Sequence, residues 1–188
     1  MSATQQRTAL IFFFVTSFIA FLLYSPSSVL SSIESIESFQ SEICHALPFL
    51  SCPTEQTLLI VKPDGTRHEQ LIKSLLSDWR FRIVDERSKQ LTPDDVDWWY
   101  SDKRQRDYYP ALQRYLTRGP CKALLLERVN GIRKLRQLIG PTDAQEARRS
   151  APYSIRAKIG TDIQENAVHA SDSLQALQDE KKIFWPNE

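Results

Sequence analysis

The sequence predicts an α/β sandwich of few strands, in which short strands alternate with amphipathic helices. Two observations support this prediction. Short apolar runs, typical of buried strands, recur after residue 54, and the segments between them carry apolar residues at helical spacing. The connections between these segments are also short. Neighbouring elements are therefore expected to pack in layers around one core.

The first predicted unit is a strand, a turn and a helix. Residues 57–61, TLLIV, form a buried-strand run that stops at the turn sequence Pro63-Asp64-Gly65. Residues 69–79 follow, with leucine and isoleucine at the spacing of one helix face.

The later elements continue the alternation. In order, the pattern predicts a strand at residues 81–84, helices at 93–100 and 108–116, a strand at 123–129, a helix at 130–138, a strand at 166–169 and a helix from about 172 to 182. Gly140 stands just after the helix at 130–138, where a helix often ends on glycine.

The N-terminus is a different kind of sequence. Residues 9–24 read ALIFFFVTSFIAFLLY without a charge, preceded by Arg7 and followed by small, turn-prone residues. At about 1.5 Å per residue this run is shorter than the roughly 30 Å hydrocarbon core of a bilayer. Residues 1–30 are therefore interpreted as a signal peptide or a short signal anchor, with membrane contact through residues 9–24.

A Ser-rich stretch without clear periodicity separates this segment from the rest. Residues 31–54 are interpreted as a spacer, and residues 55–188 as the globular domain. Cys44 and Cys52 lie in the spacer. They can form a disulfide if the domain is extracytosolic, and are free thiols if it is cytosolic.

The composition and motifs of the chain exclude several classes of function. Lys and Arg number 24 against 23 Asp and Glu, a formal charge of +1. Nucleic-acid binders usually carry a basic excess, so no nucleic-acid partner is expected. The three cysteines show no zinc-ligand spacing, and no protein metal site is predicted. Phosphate-binding glycine motifs are also absent from the sequence, so a bound nucleotide has to be held by side chains.

Four cations occupy positions suited to this task. Lys62, Arg106, Arg136 and Arg156 each lie at or near the end of a predicted element, where side chains can converge on one cleft and neutralise phosphates. Taken singly, each is more typical of a solvated surface charge. Their joint pattern indicates an anion-binding cleft.

His169 is the candidate nucleophile. It lies where a predicted strand passes into a helix that Ser171 or Asp172 is expected to cap. A neutral imidazole near helix amides and cations can accept a phosphoryl group, although a histidine in a strand is more often a packing residue. His45 and His68 are interpreted as surface residues.

Four sequence blocks resemble nucleoside diphosphate kinases in order and spacing. The similarity extends from about residue 55 to residue 185, and the first and last blocks together are highly specific. The blocks are VKPDG at residues 61–65, YSD at 100–102 leading to Arg106 and Tyr108-Tyr109, RGP at 118–120, and NAVHASDS at 166–173.

The resemblance implies a fold and an activity. The fold is a ferredoxin-like βαββαβ core, with a small antiparallel sheet covered by helices. The activity is transfer of the γ-phosphate of ATP or another nucleoside triphosphate to a nucleoside diphosphate, in a ping-pong cycle through phosphohistidine. Magnesium would bridge phosphate oxygens and be held mainly by nucleotide and water. Assembly into a homo-oligomer is compatible with the resemblance but is left open.

The resemblance also assigns catalytic roles to matching positions. His169 would carry the phosphoryl group and Glu180 would orient it. Lys62 would contact the phosphates and the ribose hydroxyl, and Tyr100 would support the histidine region.

The resemblance also assigns nucleotide binding to Lys62 and five further positions. Tyr108, in place of a family phenylalanine, would stack on the base; Arg136 and Thr142 would bind phosphates; Arg156 would cover the transferred group; and Asn166 would hydrogen-bond the ribose.

Three departures from the family pattern keep alternatives open. Ala170 stands where glycine is usual, residues 143–153 form a longer segment than in common members, and the chain ends soon after Trp185. One alternative is a catalytically weak or inactive nucleotide-binding or scaffolding protein of the same fold at a membrane. Another is a membrane-tethered interaction module with a vestigial nucleotide site.

The N-terminal segment generates a prediction about location. Arg7 precedes the apolar run, and the next Lys or Arg is Lys62. Because positive charge favours the cytosolic side, the domain should be translocated into the secretory system. In sealed microsomes it should resist protease until detergent is added. Digestion without detergent would reverse the orientation, and a mitochondrial location would contradict the interpretation of the segment.

Overall fold

The computed structural model describes residues 53–187, which fold around a four-stranded antiparallel sheet. The strands are β1 (Glu55–Val61), β2 (Arg82–Gln90), β3 (Pro120–Arg128) and β4 (Val168–Ala170), in the order β2-β3-β1-β4. Within residues 53–187, no helix combines the length and apolar character needed to cross a bilayer. The apolar run at residues 9–24, Cys44 and Cys52 lie outside the described residues.

Helices connect the strands. They are α1 (Glu69–Asp78), α2 (Pro93–Trp99), α3 (Tyr109–Thr117), α4 (Gly131–Ile139), α5 (Ala144–Ser150), α6 (Ile155–Ile159) and α7 (Leu174–Phe184), with short 3-10 turns at Thr66–His68 and Ser101–Lys103. This element order and sheet order confirm the ferredoxin-like βαββαβ core.

The sheet separates two apolar layers. Alternate residues of β1 face opposite sides, so Leu58 and Ile60 join a first layer while Leu59 and Val61 join a second. Helices α2, α3 and α7 cover the first layer, and α1 and α4 cover the second. In β4, His169 lies opposite Ile60 in the register and therefore faces the first layer.

Two parts of the fold differ from the sequence prediction. Strand β2 continues to Gln90, well beyond residue 84. The prediction stopped early because β2 is an edge strand whose largely exposed residues are polar. Helices α5 and α6 were not predicted, since each is short. Their capping residues, Asp143 and Ser154, accept hydrogen bonds from the backbone N–H groups of Gln145 and Ala157 and were the available signal.

The predicted start of the last helix was wrong. Ser173, rather than Ser171 or Asp172, caps α7, with its hydroxyl accepting from the Ala176 N–H at 3.1 Å. Strand β4 also begins at Val168 instead of Asn166. The cause is Ala167, whose φ of 68° lies in the left-handed region and interrupts the extended backbone.

Gly140 ends α4, as predicted, and cannot carry a side chain. Its φ of 80° and ψ of −179° belong to a region nearly restricted to glycine, and an added Cβ would overlap the Ser154 hydroxyl. Gly140→Ala should therefore lower the free energy of unfolding by about 1–3 kcal/mol in denaturant titrations.

Gly119 is the matched control for this substitution. A Cβ there would meet Pro63 only at an ordinary distance of 3.4 Å. Gly119→Ala should change stability by less than about 0.5 kcal/mol. Equal losses in the two variants would contradict the assignment of strain to Gly140.

Candidate active site

The core of the site is a hydrogen-bonded trio on β4 and α7. Nε2 of His169 lies 2.6 Å from Oε1 of Glu180, and the Ser171 hydroxyl donates to Oε2 of the same carboxylate at 2.5 Å. A carboxylate only accepts hydrogen bonds, so Nε2 carries the imidazole proton. Nδ1 is left with its lone pair, and the side chain remains 24% exposed. This is the arrangement of an accessible, oriented nucleophile.

Two aromatic residues surround this trio. The Trp99 indole N–H donates to Oε1 of Glu180 at 3.3 Å, and its ring meets the His169 imidazole edge to face, with centroids 5.0 Å apart. Tyr100 stacks obliquely on Trp99 at 4.8 Å. Burial, and next the negative charge of Glu180, raise the pKa of the Tyr100 hydroxyl above its usual range. Tyr100 is therefore a neutral neighbour of the trio.

Lys62 lies immediately after β1 and is almost completely buried. Its Nζ donates to Oδ1 of Asn166 at 2.8 Å. Burial, and next the positive charge of Arg156, lower the pKa of Lys62 to about 8. The ammonium group is thus held where its charge is poorly solvated.

Arg156 is a second buried cation. Its Nη1 and Nη2 donate to the carbonyls of Gly140 at 2.8 Å and of Val168, the residue before His169, at 3.0 Å. Burial, and next the charge of Arg136, lower the pKa of Arg156 to about 10. Within residues 53–187, its buried Nε has no hydrogen-bond partner. A buried, unpartnered donor of this kind is suited to an anionic ligand.

The Asn166 side chain hydrogen-bonds to Lys62 and to two backbone carbonyl groups. Its Nδ2 donates to the carbonyls of Thr142 at 3.0 Å and Ile163 at 2.9 Å, while Oδ1 accepts from Lys62. Thr142 is connected through its backbone, and its side chain is exposed.

The Pro63-Asp64-Gly65 turn locks Lys62 against β4. Asp64 accepts hydrogen bonds from the Ala167 N–H at 2.9 Å and from the Tyr115 hydroxyl. The Lys62 N–H donates to the Ala167 carbonyl at 2.8 Å, and a Cβ on Gly65 would overlap that carbonyl oxygen. The glycine of this turn is therefore required by space.

The remaining predicted residues have exposed side chains. Arg136, in the last turn of α4, is exposed and close enough for its charge to act on Arg156. Tyr108 precedes α3 and is 51% exposed, and Arg106 is exposed nearby in sequence. Lys62, Tyr100, Arg156, Asn166, His169 and Glu180 thus form the connected centre.

Three contributors were missed by sequence reasoning: the hydrogen-bonding roles of Ser171, Trp99 and Asp64. Ser171 and Asp64 lie inside quoted sequence blocks, which was the available signal. Trp99 adjoins Tyr100 but had no pattern pointing to Glu180.

The Ala170 methyl group does not lie beside His169. Ala170 pairs with Leu59 and is fully buried in the second apolar layer, whereas His169 faces the first. The alanine at this position, where glycine is usual, therefore places no methyl group against the imidazole.

The geometry agrees with comparisons to known proteins. A family model of nucleoside diphosphate kinase matches residues 55–188. The chain belongs to the nucleoside diphosphate kinase family. The resemblance inferred from the four sequence blocks is thereby confirmed, and nucleotide phosphotransfer is the activity of the family.

Individual relatives support the membership. Probable nucleoside diphosphate kinase 5 of Arabidopsis thaliana is 38% identical over 128 residues, covering 67% of this chain and 89% of the relative. The crystal structure of Aquifex aeolicus nucleoside diphosphate kinase matches with a TM-score of 0.64 and 36% identity, over 70% of this chain and 94% of that one. A Halobacterium salinarum nucleoside diphosphate kinase in complex with CDP matches with the same TM-score and 29% identity, over 70% and 88%.

Proposed function

We propose that this chain is an active nucleoside diphosphate kinase, in which His169 carries the phosphoryl group from a nucleoside triphosphate to a nucleoside diphosphate. The observation that carries the proposal is the 2.6 Å contact between Nε2 of His169 and Glu180, which leaves Nδ1 as the nucleophile. Family membership and a nearby pair of buried cations support it.

The transfer has two symmetrical steps. In the first, the Nδ1 lone pair attacks the γ-phosphorus, a P–N bond forms, and the bond to the β-phosphate oxygen breaks. The diphosphate leaves with that electron pair. In the second, a terminal oxygen of another diphosphate attacks the same phosphorus, the P–N bond breaks, and its electron pair returns to Nδ1. Throughout, the proton on Nε2 stays in its hydrogen bond to Glu180.

Phosphate binding is assigned to Lys62, Arg136, Thr142 and Arg156. Burial keeps Lys62 and Arg156 poorly solvated, and a neighbouring arginine, Arg156 for Lys62 and Arg136 for Arg156, lowers the pKa of each further. An anion between them relieves both penalties, so the site is preorganised for phosphate. The unpartnered Nε of Arg156 supplies one further donor.

Fewer residues are proposed to contact the nucleoside than the phosphates. The half-exposed ring of Tyr108 is proposed to stack on the base, and stacking accepts any base. Asn166 is left with the second lone pair of Oδ1 for the ribose, because Lys62 donates to that oxygen and carbonyl groups occupy both donors of Nδ2.

Magnesium would be supplied together with the nucleotide. Within the described residues no group of three or more His, Cys, Asp or Glu is arranged to hold a metal ion, and Asp64 already accepts two hydrogen bonds. A Mg²⁺ ion brought by the nucleotide would neutralise phosphate charge.

His169→Ala and His169→Asn should abolish transfer while preserving nucleotide binding. The histidine supplies a covalent bond, whereas affinity comes from Lys62, Arg156 and their neighbours. With labelled ATP, the wild-type protein should form an acid-labile, base-stable phosphoenzyme and pass the label to several diphosphates. The variants should be slower by about a thousandfold or more.

The surface histidine His68 provides the control, and His68→Asn should behave as wild type. ADP titrations should give similar affinities for all variants. Appreciable transfer by His169→Ala, in a preparation free of host kinase, would contradict the covalent mechanism.

Nucleotide affinity should fall as pH rises through about 8. Phosphate favours the charged form of Lys62, so the pKa of Lys62 is higher in the complex than its free value of about 8. Between these values binding takes up a proton, and affinity should fall by up to about tenfold per pH unit. Calorimetric ADP titrations from about pH 7.5 to about pH 9.5 measure this dependence and the proton uptake.

Lys62→Arg keeps its charge over this range, so its affinity for ADP should vary less with pH. A wild-type affinity that stays constant up to about pH 9.5, without proton uptake, would refute the assigned role of Lys62.

A further inference from the structure

Trp99 donates a hydrogen bond to Glu180 but has no function in the mechanism above. The carboxylate has two oxygens and three donors: Ser171 on Oε2, and both His169 and Trp99 on Oε1. Trp99 comes from α2, whereas the other two donors lie on or just after β4. The nucleophile and the indole therefore share one acceptor oxygen across two elements.

The indole also restricts the imidazole. Its ring stands at 89° to the His169 ring, with the centroids 5.0 Å apart, so the two rings meet edge to face. A rotation of the imidazole that exchanged Nδ1 and Nε2 would have to move past this surface. Trp99 thus touches both members of the pair that orients the nucleophile.

We propose that Trp99 is a positioning residue for phosphoryl transfer, which fixes Oε1 of Glu180 through its indole N–H and thereby holds Nδ1 of His169 toward the incoming phosphate. This inference rests on the proposed function. It adds a residue from the end of α2 to the orienting pair of His169 on β4 and Glu180 on α7.

The physical basis is the sharing of one oxygen. The His169 contact, at 2.6 Å, is the shorter of the two, and the indole contact, at 3.3 Å, is longer. A second donor limits where Oε1 can lie, since the oxygen must serve both N–H groups at once. The imidazole follows the oxygen, and small errors in a nucleophile's position are costly to the rate.

A purely structural role gives a different expectation. Trp99 packs against the first apolar layer, and a partly buried indole N–H needs some acceptor. If that were its entire role, removing the N–H would affect folding and not the rate of the chemical step.

Trp99→Phe separates these roles, because it keeps an aromatic ring and removes the donor. The single-turnover rate of phosphoenzyme formation should fall about three- to tenfold, with the Kd for ADP and the melting temperature little changed. Trp98→Phe is the matched control, because Trp98 is adjacent and 47% exposed. A rate for Trp99→Phe equal to that of Trp98→Phe would overturn the inference.

A double-mutant cycle with Glu180→Ala tests whether Trp99 acts through the carboxylate. Once the acceptor is gone the indole has nothing to fix, so Trp99→Phe should cause no further loss of rate in that background. The same fold-loss in both backgrounds would mean that Trp99 acts through packing alone, and would overturn the inference.

The indole N–H resonance gives a readout that is independent of activity. In ¹⁵N spectra, Glu180→Ala should shift the Trp99 signal, which Trp99→Phe identifies by its absence. Asp179→Ala, next to Glu180 on α7, should leave it in place. An unshifted signal in Glu180→Ala overturns the inference whatever the activity. A wild-type protein that forms no phosphoenzyme, with the signal shifted, refutes instead the proposed function and the catalytic part of this role.

Discussion

The burial of the Glu180 carboxylate is the constraint on which the rest of the site depends. A nearly buried negative charge is costly unless donors surround it, and Ser171, His169 and Trp99 provide them. They come from two sides of the first apolar layer, so the sheet and its helices must be fully packed before the carboxylate is satisfied. Its position in turn selects which nitrogen of His169 remains free.

The C-terminal helix carries this carboxylate and is anchored at its far end. Trp185, 1% exposed, follows α7 directly, and its indole N–H donates to Asp85 of β2 at 2.7 Å. Because β2 and β4 are opposite edges of the sheet, α7 spans the first layer from the anchor to the histidine.

Lys62 and Arg156 are the buried cations of the site. Burial and neighbouring positive charge lower their pKa values, so the protein leaves their charges incompletely compensated, whereas the Glu180 carboxylate is fully hydrogen-bonded. Excess positive charge beside an oriented imidazole is what phosphoryl transfer from a nucleotide needs.

The sequence predicted those elements whose pattern is determined by burial. Strand β1 and helix α1 follow from their apolar periodicity, and the end of α4 follows from Gly140. The extent of β2 did not, because an edge strand exposed to solvent has a polar sequence. Lys62, Arg156 and His169 were candidates from their places at the ends of predicted elements, and the family resemblance added Asn166 and Glu180, because side chains distant in the sequence meet only in the fold. Neither the apolar pattern nor the family resemblance pointed to Trp99, because its contact with Glu180 joins residues 81 positions apart.

The central claim is that Glu180 leaves Nδ1 of His169 as the nucleophilic atom. The most direct test is to phosphorylate the ¹⁵N-histidine-labelled protein with ATP and to identify the bonded nitrogen by ³¹P–¹⁵N NMR, without acid treatment. The account predicts a single phosphohistidine, at His169, with phosphorus bonded to Nδ1 and the proton retained on Nε2. Phosphorus on Nε2 would contradict it, because that nitrogen could not also donate a hydrogen bond to Glu180.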